Sequence, residues 1–491
     1  MSATLAELVS DLGARVLGAE RALVDDLAYD SRQVRPGALF AALRGAQTDG
    51  HRFVGQALDA GASALLVEEP PASHPASVGV AIVPDTRRAL ADVAARFFGH
   101  PARALALVGV TGTKGKTSTV RIVESVLRAG GRRAGSLGTI SVRWPGFEEK
   151  SAMTTPESLD LQRWLARMRD AKVEAVAMEV SSHSLALGRV RGLRFAVAVF
   201  TQLAHEHLDF HGDLESYGKA KALLFGADLL AGTAVLNAAD PWAPRLAEIA
   251  RAGGNRVVTY ARGAAAAADY VTTFEEVELA RSRLRVRGPD GELEVVLPLP
   301  GDFQIDNALA ALAAGRALGL GWDAVRRGLE SCPPVPGRLE RVGTGAPIVL
   351  VDYAHTANSL EKMLSRVRPL VRGRLIAVFG CGGDRDKTKR APMARAACAN
   401  ADFVIATSDN PRTEDPDAIL RDVAAGLSGE FEIESDRRRA IARAVALAKR
   451  DDCVVIAGKG HEDYQIVGRE KRPFDDREEA LAALRARGDA A

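Results

Sequence analysis

Four nearly unbroken apolar runs, ALALVGV (104–110), VEAVAMEVS (173–181), RFAVAVFT (194–201) and TAVLNAAD (233–240), alternate with helical stretches in the middle of the chain. Strands that stay apolar on both faces, instead of alternating, belong to a parallel sheet covered on both sides. The pattern returns further on in PIVLVDYAHT (347–356), LIAVFGCGGD (375–384), FVIATSDN (403–410) and CVVIAGKG (453–460), each followed by a helical stretch. Ahead of both lie DDLAYDSRQVRPGALFAALRG (25–45) and AGASALLVEE (60–69), which read as short strands and a helix with polar turns. Breakers separate the blocks: Gly99-His100-Pro101, then CPPVPGR at 332–338. The expected fold is α/β in three domains. They are a smaller N-terminal α/β domain (1–101), a central mostly parallel sheet of the P-loop ATPase type (102–337), and a C-terminal Rossmann-like doubly wound sheet (338–491). The alanine run 264–268 reads as a loop or edge segment.

A length of 491 residues suits about three cores, and 47% apolar content can fill them. The charges, 65 basic against 63 acidic, are mixed along the chain, so no basic stripe for nucleic acid is expected. Arg437 to Arg439 is the densest basic run, and in an alanine-rich helical segment it reads as a solvated face. The cysteines, Cys332, Cys381, Cys398 and Cys453, are far apart, fit no zinc spacing and suggest a reducing compartment. The opening MSATLAELVSDLGARV is unlike a signal peptide, and no apolar run reaches a membrane span. A cytoplasmic protein is expected.

Polar chemistry gathers where the apolar runs end, which is where open α/β sheets bind ligands. After ALALV comes GVTGTKGKTSTV: a Gly-rich turn, then Lys, Thr and Ser at a helix start. Amides without intrahelical partners and the helix dipole both favour an anion there. Position 110 is Val110 where the full P-loop pattern has Gly, so the usable part is G-x-x-G-K-T, Gly112 to Thr117. Gly112, Thr113, Lys114, Gly115 and Ser118 would cradle phosphates, Lys116 would reach the β/γ-phosphates, and Thr117 would hold Mg²⁺. Glu179, at a strand end, suits a Mg²⁺ shell made of oxygen. His205, His207 and His211 invite a zinc reading, which lacks matching acidic or cysteine ligands elsewhere. In the last block Arg385 and Arg412 suit a carboxylate and Glu462 an ammonium, the groups of an amino acid.

The ordered series DSRQVRPGALFAALRG, TGTKGKT, TTPE, MEVSSH, HLDFHGD with AKALLF, GRLE, VDYAHT, GCGGDRDKTKR, DNPR and GKGHE spans the whole chain, and with it the sequence closely resembles the Mur ligases of bacterial cell-wall synthesis. The resemblance implies an ATP-dependent acid–amino-acid ligase. ATP would phosphorylate the terminal carboxylate of a UDP-N-acetylmuramoyl-L-alanyl-D-glutamate substrate, and an amine would displace phosphate from the acyl phosphate. It implies Lys116, Glu179, His207 and Lys221 as catalytic residues, with Thr117, Glu179, His207 and Lys221 around Mg²⁺. Lys221 would carry a carbamate formed from CO₂, whereas the sequence alone reads it as a solvated helix lysine beside Lys219.

By the same resemblance the N-terminal domain binds the UDP-sugar. Ser31 and the turn Ala46-Gln47-Thr48 would meet the uridine diphosphate, while Thr154, Thr155, Ser181 and Arg189 would meet sugar and peptide. Asn307, Arg338, Asp352 and His355 would contact the adenine nucleotide. Arg385, Asp409, Asn410, Pro411, Arg412, Gly458 and Glu462 would take the incoming amino acid. Relatives with Arg at the last place of DNPR use meso-diaminopimelate, whose distal carboxylate a guanidinium can clamp, so that substrate is expected. The partners implied are small molecules, with no nucleic acid and no membrane span, acting on a monomer. The alternatives are a lysine-adding sister enzyme or a folylpolyglutamate-type ligase and, from another class, a nucleotide-binding regulator without ligase activity.

Overall fold

The computed structural model describes residues 2–45 and 48–488. Two compact units result: one takes the chain up to Ala261 with Ala265–Val271 and Leu309–Gly328, the other Arg262–Ala264, Thr272–Ala308 and the chain from Leu329 onward.

The first unit holds two large sheets and a short antiparallel pair, Ala3–Thr4 with Leu23–Val24. The N-terminal one runs in the order Arg15–Gly18, Gly79–Ile82, Ala64–Val67, Ala38–Ala41, Asp26–Ala28, parallel apart from its first pair. Ala38–Ala41 and Ala64–Val67 are buried throughout, and alternate residues feed two cores: Leu39 and Leu66 on one side, Phe40 and Leu65 on the other. The helix Thr86–Phe97, capped by Asp85, covers the first of these.

The central sheet begins with the hairpin Ser141–Trp144/Phe147–Lys150. It continues through Ala134–Leu137, Ala175–Glu179, Ala106–Thr111, Phe195–Phe200, Leu230–Asn237 and Arg256–Ala261 to Tyr270 and Val271. From Ala134–Leu137 as far as Tyr270 and Val271 every pair is parallel, so the loops after Thr111, Leu137, Glu179 and Phe200 leave from one edge. Val110 is a fully buried strand residue whose carbonyl accepts the Val180 amide. The strand is still needed there, which accounts for a β-branched residue where the full P-loop pattern has Gly. Residues 264–268 form a loop between strands, as expected.

In the second unit the sheet order is Glu340–Val342, Ile348–Asp352, Cys453–Ala457, Leu375–Cys381, Phe403–Ser408, Phe431–Glu434, antiparallel only at its first pair. The doubly wound character follows from a period of two. Leu375, Ala377, Phe379 and Cys381 enter one core, Ile376 and Val378 the other, and each buried aliphatic is worth about 1.5–3 kcal/mol. Helices Ala357–Val367 and Arg390–Asn400 close the first face; Arg437–Leu447 and Asp476–Ala486 close the second. Two hairpins, Ser282–Gly288/Gly291–Leu297 and Tyr464–Val467/Glu470–Pro473, complete this unit.

One expectation is overturned. Arg437 is not part of a solvated face: it is buried, its Nε and Nη2 each 2.7 Å from a carboxylate oxygen of buried Asp476, while Nη1 and Nη2 donate to the Ser408 and Ala457 carbonyls. Arg438 and Arg439 are the exposed members of the run. A charge this deep is tolerated because every face of the guanidinium meets an acceptor.

Candidate active site

In the first unit the strand Ala106–Thr111 turns into the helix Lys116–Ala129 through two glycines with positive φ, Gly112 at 148° and Gly115 at 89°. A Cβ on Gly112 would lie 1.9 Å from Thr201 Oγ1. The turn is tied down by Thr113 N–H to the Gln202 carbonyl at 2.7 Å and by Thr201 Oγ1 to the Lys114 carbonyl at 2.6 Å. Lys116 Nζ folds back onto the carbonyls of Gly112 (2.9 Å) and Thr113 (3.1 Å); Thr117 and Ser118 are buried at the helix start. Lys114 pairs with Glu206 at 2.7 Å.

Behind the turn Glu179 is buried, and its carboxylate organises three elements. Oε2 accepts from the hydroxyls of Thr117 and Thr139, both at 3.1 Å, and Oε1 from the Thr139 amide at 2.7 Å. Gly138 leaves room for this: a Cβ there would stand 2.3 Å from Oε1. Gly138 and Thr139 were not singled out in the sequence, although a Gly-Thr pair after a strand is the signal that marks them. The network reaches the segment expected to meet sugar and peptide. The hydroxyls of Thr139 and Thr154 lie 3.1 Å apart, Thr155 Oγ1 donates to the Glu179 carbonyl at 2.9 Å, and the Ser181 amide donates to Thr155 Oγ1 at 3.1 Å. Arg189 donates to the Thr155 carbonyl at 3.2 Å and meets Glu157 at 2.9 Å; Arg87, from the N-terminal sheet's covering helix, meets the same carboxylate at 2.7 Å.

Lys221 and Lys219 part company in space. Lys219 is exposed beside Glu215, whereas Lys221 is 1% exposed, with Nζ 2.9 Å from the Gly112 carbonyl and 4.3 Å from the Tyr217 ring. Burial pushes its amine well below the usual lysine range, and the nearby Lys116 charge adds to the effect. His207, in a left-handed turn with φ 58°, packs edge-on to His183 with centroids 4.8 Å apart, and His211 stands 5.1 Å from Tyr217. Desolvation lowers all three imidazoles, and for His207 the cations Lys116 and Lys221 add to it. Among the described residues no three His, Cys, Asp or Glu side chains converge as a metal-holding group.

Ser31 donates to Gln56 at 2.9 Å, and the Thr48 carbonyl accepts from Gly45 at 2.9 Å. Ala46 and Gln47 lie outside the described residues.

In the second unit the loops after Asp352, Cys381, Ser408 and Ala457 leave the carboxyl edge of the sheet. Arg412 takes a left-handed backbone (φ 52°) and bonds through its N–H and C=O to the hairpin at Ile466 and Gly468. Its Nη1 donates to the Gly383 carbonyl at 2.7 Å. A Cβ on Gly382 would lie 2.9 Å from that Nη1 and 3.9 Å from Arg385 Cγ, so both guanidine-bearing chains flank one glycine, with Arg385 exposed. Gly458, at φ 120°, lets Asp409 approach: a Cβ there would be 2.7 Å from Oδ2. Pro411 is buried beside them. Asn410 Nδ2 donates to Glu462 Oε2 at 2.9 Å. Lys459, fully buried and absent from the residues expected from sequence, reaches Glu462 at 3.1 Å and Asn410 Oδ1 at 3.3 Å.

Asp352 accepts the Leu339 and Ala354 amides, and burial raises its carboxyl above the usual range. Arg338 lies over the Tyr353 ring, which packs against His355 and His461. Asn307 bonds Gln304 on the helix Phe303–Ala317.

A Gly-turned phosphate loop backed by a buried carboxylate, together with a doubly wound sheet whose loops carry paired cations and acids, defines a phosphate-loop protein of the α/β ligase class. Family models for the Mur ligase middle domain, the Mur ligase glutamate ligase domain and the Mur ligase family catalytic domain match residues 110–315, 337–460 and 24–98. The UDP-N-acetylmuramoyl-L-alanyl-D-glutamate--2,6-diaminopimelate ligase of Gloeobacter violaceus is 48% identical over 468 residues, 94% of each chain. The protein of that name from Synechocystis sp. is 46% identical over 477 residues, 94% of this chain and 92% of its own. A solved structure titled as the same ligase superposes with a TM-score of 0.75 at 32% identity over 100% of both chains. The chain belongs to the Mur ligase family, and its three-domain α/β fold is the fold of that family.

Proposed function

We propose that the protein is an ATP-dependent amide ligase that adds meso-2,6-diaminopimelate to UDP-N-acetylmuramoyl-L-alanyl-D-glutamate in peptidoglycan synthesis. The observation that carries this reading is Arg412, locked by its backbone into the hairpin with its guanidinium beside Arg385, in a chain 48% identical to a ligase named for diaminopimelate. A planar fork matches a carboxylate that lysine lacks.

In this reading the substrate carboxylate oxygen attacks the γ-phosphorus of ATP, and ADP leaves. The amine then attacks the acyl carbon, and phosphate departs with the C–O electron pair as the nitrogen loses a proton. Alignment and charge neutralisation are what the chain supplies. Lys116 and the amides of Gly112–Ser118 serve the phosphates, and Asn307, Arg338, Asp352 and His355 the rest of the nucleotide. Ser31, the 46–48 turn, Thr154, Thr155, Ser181 and Arg189 hold the sugar-peptide. Asp409, Asn410, Pro411, Arg412, Arg385, Gly458 and Glu462 hold the amino acid.

The donor set suits Mg²⁺: the Thr117 hydroxyl and the Glu179 carboxylate are hard oxygens 3.1 Å apart, both buried. With His207 and a carbamate on Lys221 they would hold the ion, which when bound neutralises charge on the transferring phosphoryl oxygens. Burial disfavours the protonated amine, which favours the neutral form whose lone pair can attack the carbon of CO₂; from that neutral amine the N–C bond forms as one proton leaves, and the product is an anionic carbamate. The enzyme is read as a cytoplasmic monomer. Among the described residues no helix is long and apolar enough to cross a membrane. The test is ADP and phosphate release by the purified protein, expected only when both co-substrates are present. Nucleotide hydrolysis indifferent to them would instead favour the regulator reading.

A further inference from the structure

Lys459 is the most deeply buried ammonium of the second unit, and its surroundings are unusual for a structural lysine. Its Nζ is fully enclosed, and the one carboxylate that pairs with it among the described residues, Glu462 Oε2 at 3.1 Å, belongs to the expected amino-acid site. That same oxygen accepts from Asn410 Nδ2 at 2.9 Å. Asn410 is in turn fixed: its Oδ1 accepts the Ile466 amide at 2.9 Å and faces Lys459 Nζ at 3.3 Å. The Lys459 chain also lies near the Tyr464 ring, with Nζ 5.4 Å from its centroid.

Three side chains from two loops, braced by the hairpin amide of Ile466, thus form one set in which Oε2 of Glu462 is doubly held. No described residue donates to Oε1 of Glu462, which sits on a side chain 18% exposed while Lys459 is sealed beneath it. Burying an ammonium is costly without an anion, and a carboxylate on two donors is stiff. The arrangement makes one oxygen internal and leaves the other outward.

We propose that Lys459 is a positioning residue for the amino-acid substrate: with Asn410 it holds Glu462 Oε2 inside, so that Oε1 is presented to a substrate ammonium. The proposal rests on the diaminopimelate reading above and deepens it. One N–H of Asn410 Nδ2 is committed to Glu462, so part of what Asn410 contributes to the site passes through that carboxylate. Removing the lysine charge leaves Glu462 with a single neutral donor, free to rotate away from the ligand.

The test is a cycle of Lys459→Met, Glu462→Gln and the double variant, with initial rates measured against diaminopimelate, ATP and the UDP-linked dipeptide. Lys459→Met is expected to raise KM for diaminopimelate about ten- to a hundredfold, the worth of a charged hydrogen bond, with KM for the other two substrates within about twofold of the parent. In the Glu462→Gln background the same change is expected to add less than about threefold, since the two act as one device. Lys459→Gln, which keeps a donor without the charge, serves if the methionine variant does not fold; it is expected to fall between. Unchanged KM for diaminopimelate in either folded variant, or full additivity of the two substitutions, overturns the proposal. If the parent itself shows no diaminopimelate-dependent turnover, the functional reading fails first and this one with it.

Discussion

Replacing Arg437 with methionine deletes a guanidinium that makes four hydrogen bonds where no water reaches. Asp476 is left as a carboxylate with 0% side-chain exposure and no cation, and the carbonyls of Ser408 and Ala457 lose a donor. Breaking a buried pair from one side costs about 3–5 kcal/mol, because an uncompensated charge remains. Removing both charges, Arg437→Met with Asp476→Leu, takes away the penalty along with the attraction and is expected to recover most of the loss. Amide hydrogen exchange in the strands Phe403–Ser408 and Cys453–Ala457 reads this locally, which matters in a multidomain chain. The single variant should lower protection there by about two to four orders of magnitude, and the double by one or less. If the single variant stays within about 1 kcal/mol of the parent, or the double is as damaged as the single, the reasoning about uncompensated charge is wrong.

Arg412→Ala is expected to raise KM for diaminopimelate by roughly a hundredfold without improving lysine; equal turnover of lysine and diaminopimelate by the parent would refute the role given to the guanidinium. Gly138→Ala pushes a methyl to within 2.3 Å of Glu179 Oε1, so the Mg²⁺ concentration for half-maximal rate should rise about tenfold or more; an unshifted activation curve would show that Glu179 does not serve the ion. His461 is driven down from 6.5 to about 4, first by burial and then by Arg338 and Arg477, so it is neutral in the fold while the unfolded chain takes up a proton below pH 6.5. Stability of the second unit should therefore rise between pH 4 and 6.5 and be lost as pH falls through that window, by roughly 3 kcal/mol at most; urea midpoints that are as pH-dependent in His461→Gln as in the parent would count against it.

The phosphate loop, the parallel strands and the polar ends of each strand are legible in the chain because the forces behind them are local. Continuous apolar runs demand cover on both faces, and Gly112 and Gly115 meet backbone angles that other residues avoid. The hairpin at Ser282–Leu297 escapes such a reading because about half of each strand faces solvent, and that at Tyr464–Pro473 because its first strand is only partly buried and its second is wholly exposed.

The α/β class and the family could be read from the chain before any coordinates. Which charges are buried could not, and only the tertiary structure decided that. Lys219 and Lys221 share one helix, yet one is solvated and the other enclosed against the Gly112 carbonyl. Arg437 and Arg438 are neighbours, and the first finds its carboxylate 39 residues further on. Thr139 acquires its role from a carboxylate brought to it by a different strand, 40 residues further on. The physical reason is that desolvation depends on what packs around a charge from distant parts of the chain, and no local pattern of residues encodes that.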